Sequence, residues 1–159
     1  MTPPTDDLPE RESQQEFEQE FEHWLTRYGA AWSSRQPDAA AALFTEDAEY
    51  YWTPLQAPMC GREEIVAAWR AAIDRQKDVR FRFDVLAVCG SRGIAHWRTS
   101  MVRRASGEAI EVDGVLLAEF DEAGLCRCFR EWWHSSEASP AGPNSARSKG
   151  RSTGKSGSS

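Results

Sequence analysis

VRFRFDVLAVCGSRGIAHWRTSMVR, residues 79–103, carries the change of period on which the fold turns. Val79, Phe81, Phe83, Val85 and Ala87 alternate with Arg80, Arg82, Asp84, Leu86 and Val88. A repeat of two puts alternate side chains on opposite faces of an extended chain. Cys89-Gly90-Ser91-Arg92-Gly93 is rich in turn formers, and residues 94–103 resume as a second strand. Long strands joined by so short a turn pair antiparallel.

Towards the C-terminus the pattern continues. Ala105-Ser106-Gly107-Glu108 makes the next turn, and IEVDGVLLAEF (110–120) makes a strand whose second half is apolar on both faces, as a central strand requires. Asp121-Glu122-Ala123-Gly124 is a hairpin turn into LCRCFREWW (125–133). Towards the N-terminus the period is helical. Phe17, Phe21, Trp24, Leu25, Tyr28 and Trp32 form one apolar stripe on a helix over about 15–34. Pro37 suits the first turn of a second helix, with Asp38 at its positive end; Thr45-Glu46-Asp47 closes it. AEYYWTP (48–54) reads as a strand ended by Pro54, residues 55–61 as a loop, and Ile65, Ala68, Trp69, Ala72 and Ile73 as the buried stripe of a third helix. This order predicts an α+β fold: a conical barrel of strongly curved, mixed but mainly antiparallel sheet, with three N-terminal helices closing an apolar cavity.

The 159 residues and the net charge of −6 frame that domain. Residues 1–16 are acidic and nearly devoid of apolar side chains, and 135–159 are Ser/Gly-rich and basic, so both are expected to be disordered, leaving 17–134 as the folded domain. Bulk acidity argues against a specific nucleic-acid partner. No apolar run approaches the roughly 20 residues of a membrane helix. MTPPTDDLPE has neither the basic start nor the apolar stretch of a signal peptide, and the four cysteines form no CxxC, so a cytoplasmic location with reduced thiols is expected. Cys126 and Cys128 have no partners at metal-site spacing, and no Gly-rich phosphate loop occurs, so no metal and no cofactor are expected.

RYGAAWSSRQPDAAAALFTEDAEYYW (27–52), GREEIVAAW (61–69) and DGVLLAEFDEAGLCRCFREWWH (113–134) resemble the nuclear-transport-factor-2-like superfamily, in its SnoaL-like and ketosteroid-isomerase-like branch. The resemblance implies a deep, largely apolar pocket and a homodimer built on the outer face of the sheet. Members include isomerases, cyclases, dehydratases, epoxide hydrolases and non-catalytic binding domains, so it implies fold more than activity. The isomerases' tyrosine falls on Tyr28, but their two carboxylates fall on Trp52 and Leu116. One donor would remain and no base, which argues against steroid isomerisation of that design. The carboxylate pair and arginine of the hydrolases are matched in type by Glu131, Asp113 and Arg98.

Alternation anchored on this resemblance puts Phe129, Glu131 and Trp133 inside, with Cys126, Cys128, Arg130 and Trp132 outside. Val112, Gly114, Leu116, Ala118, Trp97 and Thr99 face inward, and Asp113 faces out unless a bulge turns it. Glu131, with Tyr28 and Asp113, is the candidate acid–base set. Glu131 reads equally as a paired structural acid, Tyr28 as a core aromatic, and Asp113 as a partner for His96 or Arg98. His134 reads as a proton shuttle beside Glu131 or as a surface residue. Trp52, Trp97, Thr99, Leu116, Phe129 and Trp133 are the expected pocket lining, and their tryptophans either wall the pocket or fill it. The expected function is binding of a small, largely apolar or aromatic molecule; the alternative is an isomerase, cyclase, dehydratase or hydrolase using Glu131 as general acid/base and Tyr28 as donor.

Overall fold

In the computed structural model, residues 8–137 are described. The chain runs α1 (Leu8–Ser33), α2 (Pro37–Ala41), β1 (Phe44–Tyr51), β2 (Met59–Cys60), α3 (Gly61–Ile73), β3 (Gln76–Cys89), β4 (Arg92–Arg103), β5 (Ala109–Phe120) and β6 (Cys126–Ser135). The strands form one six-stranded sheet in the order β2-β1-β6-β5-β4-β3. β1 runs parallel to β6 and every other pairing is antiparallel, so the sheet is mixed and mainly antiparallel as expected.

Several boundaries move. The head expected to lack structure through residue 16 is helical from Leu8, because Pro9 suits a first turn and the Glu, Gln and Arg that follow are good helix formers extending a helix already anchored by its stripe. Residues 1–7 lie outside the described part, as do 138–159. Residues expected in the basic tail are also ordered: β6 includes Ser135, and the Ser136 N–H donates to the Glu111 carbonyl at 2.8 Å. α2 ends at Ala41 and β1 starts at Phe44, four residues before the expected strand. Pairing across the sheet overrides helix propensity there: Phe44 is opposite Cys126, whose N–H donates to the Leu43 carbonyl at 3.0 Å. Met59–Cys60, expected as loop, pairs with Tyr50 and Glu49.

The stripe of α1 packs as read. Phe21, Trp24, Leu25 and Tyr28 are buried, and Trp24 contacts Phe44, Phe120 and Phe129. The helix stops where Arg35 takes a positive φ and the Gln36 N–H reaches back to the Ala31 carbonyl, a 6→1 closure that satisfies a terminal acceptor. On β4 and β5 the alternation is clean: Ala95, Trp97, Thr99 and Met101, then Ile110, Val112, Leu116 and Ala118, are buried. One facing is corrected. The β5–β6 register shifts between Glu119 and Phe120, so Phe120 pairs with Cys126 and Glu119 with Cys128. The bulge turns Cys126 inward, where it is fully buried, while Cys128, Arg130 and Trp132 keep the outer row.

Gly114 marks a close approach between two strands. A Cβ there would lie 2.6 Å from the Trp132 carbonyl oxygen and 2.7 Å from Trp133 Cβ, both on the paired strand. Gly114→Ala is therefore expected to force β5 and β6 apart and destabilise the fold by roughly 1–3 kcal/mol. Urea denaturation measures it, and an unchanged midpoint would show that the strands part without strain.

Candidate functional site

Between the helices and the inner face of the sheet lies a cavity of about 120 Å³. Its walls come from every layer. α1 supplies Tyr28 and Trp32, four residues apart on one helix face. α3 supplies Trp69, Ala72 and Ile73, and β1 with the turn after it supplies Tyr50 and Trp52. β4 brings Trp97, Met101 and Arg103; β5 brings Ile110 and Val112; β6 brings Glu131, Trp133 and Ser135. Gln76 and Glu137 complete the lining.

The aromatic rings brace one another. Tyr28 meets Trp69 edge to face at 5.1 Å between centroids, Trp32 lies 6.1 Å from Trp69 and 6.0 Å from Trp97, and Tyr50 lies 6.0 Å from Trp52. Two indoles are also tied by hydrogen bonds: Trp32 Nε1 donates to Gln76 Oε1 at 2.8 Å and Trp133 Nε1 to the Trp52 carbonyl at 2.9 Å. The tryptophans thus wall the cavity and narrow it without filling it.

Glu131 is the acid inside this cage, only 5% exposed. Its partners are two phenols. Tyr28 OH lies 3.3 Å from Oε1, Tyr50 OH lies 3.2 Å from Oε2, and the two hydroxyls are 2.7 Å apart. Three oxygen–oxygen contacts need three hydrogens, and the tyrosines have two. A protonated Glu131 supplies the third and closes the ring in either sense; an ionised one leaves a contact without a proton. Burial drives the same preference. It pushes the Glu131 carboxyl up to about 8, against the opposing pull of hydroxyls from Tyr50 and Tyr28. No cation pairs with it among the described residues. Burial, then the nearby Glu131, raises both phenols well above their ordinary range, so neither is a source of phenolate.

The other expected site residues divide. Tyr28, Trp52, Trp97 and Trp133 line the cavity with Glu131. Phe129 and Leu116 are fully buried on the inner face but outside the lining. Rings fill the narrow end of the cone around Phe129: Tyr50 at 4.8 Å, Tyr28 at 5.4 Å and Trp24 at 5.7 Å. Thr99 is buried, yet its short side chain lies between Trp97 and Met101, which line the cavity when it does not. Asp113 is on the opposite side of the sheet. No bulge turns it; it pairs squarely with Arg98 and His134, and its Oδ1 is 2.9 Å from His96 Nε2. It is 62% exposed, which removes it from the acid–base set. Arg98 pairs with Asp84 on that same face, and His134 is exposed there. Among the described residues, no three His, Cys, Asp or Glu side chains are grouped to hold a metal ion.

The sequence reading missed Tyr50, Trp32, Trp69, Arg103 and Glu137. For Tyr50 the signal was present: if Trp52 faces inward, period two brings Tyr50 with it. Trp32 and Trp69 sat on helix stripes that read as core. Arg103 pairs with Glu137, which lies in the stretch taken for a tail.

Because the folded state raises the Glu131 pKa above the ordinary 4.5, it holds a proton that the unfolded chain releases. This group's contribution is fully present below about pH 4.5, falls as pH rises through that window, and is gone above about 8. The loss is expected to total roughly 3–5 kcal/mol. Glu131→Gln removes it, so the variant should overtake the wild type in stability between pH 5 and 9. Parallel urea-denaturation profiles for the two would refute the neutral buried acid.

The comparisons agree with this geometry at the level of fold. A hypothetical protein of ketosteroid-isomerase-like fold from Catenulispora acidiphila, solved in complex with trimethylamine, superposes with a TM-score of 0.62. The two are 18% identical over 69% of this chain and 83% of the other. No curated protein matches the sequence. The profile of the SnoaL-like domain matches residues 25–128, which take in the cone from the middle of α1 into β6. On that match the chain belongs to the SnoaL-like domain family, and its fold is like that of the ketosteroid-isomerase-like protein.

Proposed function

We propose that this domain binds a small, largely apolar organic molecule in the cavity beside Glu131. The observation that carries the reading is the aromatic-rich lining of the cavity around a buried acid. Size bounds the ligand. A 150 Å³ apolar cavity accepts benzene, so about 120 Å³ suits a molecule of about benzene size. The trimethylamine held by the structural relative falls in that range. Titration of the intrinsic tryptophan fluorescence tests this. Molecules of up to about seven heavy atoms should quench or shift it, and naphthalene-sized ones should not; a response only to the larger class would overturn the reading.

A second reading is supported by the protonation of Glu131. A neutral acid with a pKa of about 8, in line with two hydroxyls, is poised for proton transfer near neutral pH. In a dehydratase, isomerase or hydrolase, Glu131 would donate a proton to substrate oxygen and recover it, and Tyr28 would orient the carboxyl. Glu131→Gln would then cost roughly 10²–10⁴ in rate with little change in ligand affinity. Asp113→Asn, on the outer face, should leave the rate unchanged.

The outer sheet face supports a homodimer. Trp132 is 45% exposed there, Val115 sits opposite it in register, and Ile94 and Leu86 are exposed nearby. An exposed tryptophan with apolar neighbours on one face suits an isologous contact. Sedimentation equilibrium should give twice the 17.9 kDa chain mass, and Trp132→Glu should shift it to the single chain. A wild type sedimenting as one chain at micromolar concentration would refute the dimer.

A further inference from the structure

We propose that the cavity selects a small methylated ammonium ion, held by its aromatic walls and by the carboxylate of Glu131. This rests on the reading above that the cavity takes a ligand, and names the class.

Charge balance points to a cation. Three lining residues carry full charges when ionised: Glu131, Arg103 and Glu137. Arg103 and Glu137 pair with each other, which leaves Glu131 without a counterion. Ionised, it gives the chamber one net negative charge that a monovalent cation cancels; an anion would find only the neutral acid. The walls favour the same guest. Trp32, Trp52, Trp69, Trp97 and Trp133 present indoles around the cavity, and indole faces attract onium ions more strongly than other side chains do. Size agrees: tetramethylammonium has fewer heavy atoms than benzene. The rival is a hydrogen-bond acceptor, because the indole N–H groups of Trp69 and Trp97 are buried without partners.

Binding moves a proton. With a quaternary ion, the Glu131 O–H bond breaks and its proton leaves to solvent, while Tyr28 and Tyr50 both donate to the resulting carboxylate. With a neutral tertiary amine, that proton passes to the amine nitrogen and none is released. The ionisable groups facing Glu131 are Tyr28 from α1 and Tyr50 from β1; Arg103 on β4 and Glu137 beyond β6 neutralise each other, and the lining from α3 and β5 is uncharged.

Calorimetry on the full chain with choline, its neutral carbon isostere 3,3-dimethylbutan-1-ol, and acetate tests this. Choline should bind at least tenfold tighter than the alcohol. Its affinity should rise up to tenfold per pH unit until about pH 8, with one proton released at pH 6.5 as read from two buffers of different ionisation enthalpy. Glu131→Gln should cost choline tenfold or more, erase the pH dependence and spare the alcohol, whose retained binding reports an intact cavity. Trp52→Leu, at a partly buried ring, should weaken choline selectively by several-fold. Equal, pH-independent binding of choline and the alcohol would overturn the cation and leave the ligand reading standing. Acetate binding tightest, and more tightly at low pH, would overturn it in favour of an acceptor. Binding of none of the three would overturn both.

Discussion

The antiparallel pairing of β5 with β6 sets Leu116 opposite Glu131 and Gly114 opposite Trp133, and the site depends on that register. Shifting β6 by one residue would send Glu131 to the outer face and bring Arg130 or Trp132 inside. Two features hold the register. Gly114 lets the backbones close where a Cβ would collide, and the bulge near Arg127 takes up an extra residue before Phe129 enters the core. The hairpin end is stapled as well, with Asp121 Oδ1 accepting N–H bonds from Ala123 and Leu125 at 2.9 Å each.

Burial then fixes the chemistry of the acid. A carboxylate this deep loses its hydration, and two phenols at 3.2 and 3.3 Å replace only part of it. The neutral form meets that environment at lower cost and closes the hydrogen-bond ring. The arrangement is therefore strained only when Glu131 ionises, and a bound cation or a substrate able to take its proton relieves the strain.

The two faces of the sheet do different work. Inside, aromatic rings leave a cavity at the wide end and pack solidly around Phe129 at the narrow end. Outside, polar pairs cross the strands: Arg98 with Asp84, His96 with Asp113, Arg92 with Glu119. Asp113 helps define this outer lattice, which accounts for an acid in the middle of a central strand without giving it a role in the cavity.

Much of this was legible in the residues themselves. Period two through 79–133 and period 3.6 through the N-terminal third specify the elements, and alternation anchored on the family resemblance carries Glu131, Trp97 and Trp133 to the inner face and Asp113 to the outer. Local pattern cannot report where the cone stops being filled. That depends on which rings meet across the interior: Phe129 and Leu116 share a face with Glu131 yet lie in solid packing, whereas Trp32 and Trp69 on helix stripes reach the open end. Nor could it reveal the Glu131–Tyr28–Tyr50 ring or the Arg103–Glu137 pair, whose members are 22 to 103 residues apart in sequence. The sequence by itself determined most of the elements, their order and the alternation along the long strands, because those follow from backbone periodicity and turn chemistry. Only the tertiary structure decided which inward residues meet and what protonation their meeting imposes, because contact and desolvation are properties of the closed cone and not of any segment within it.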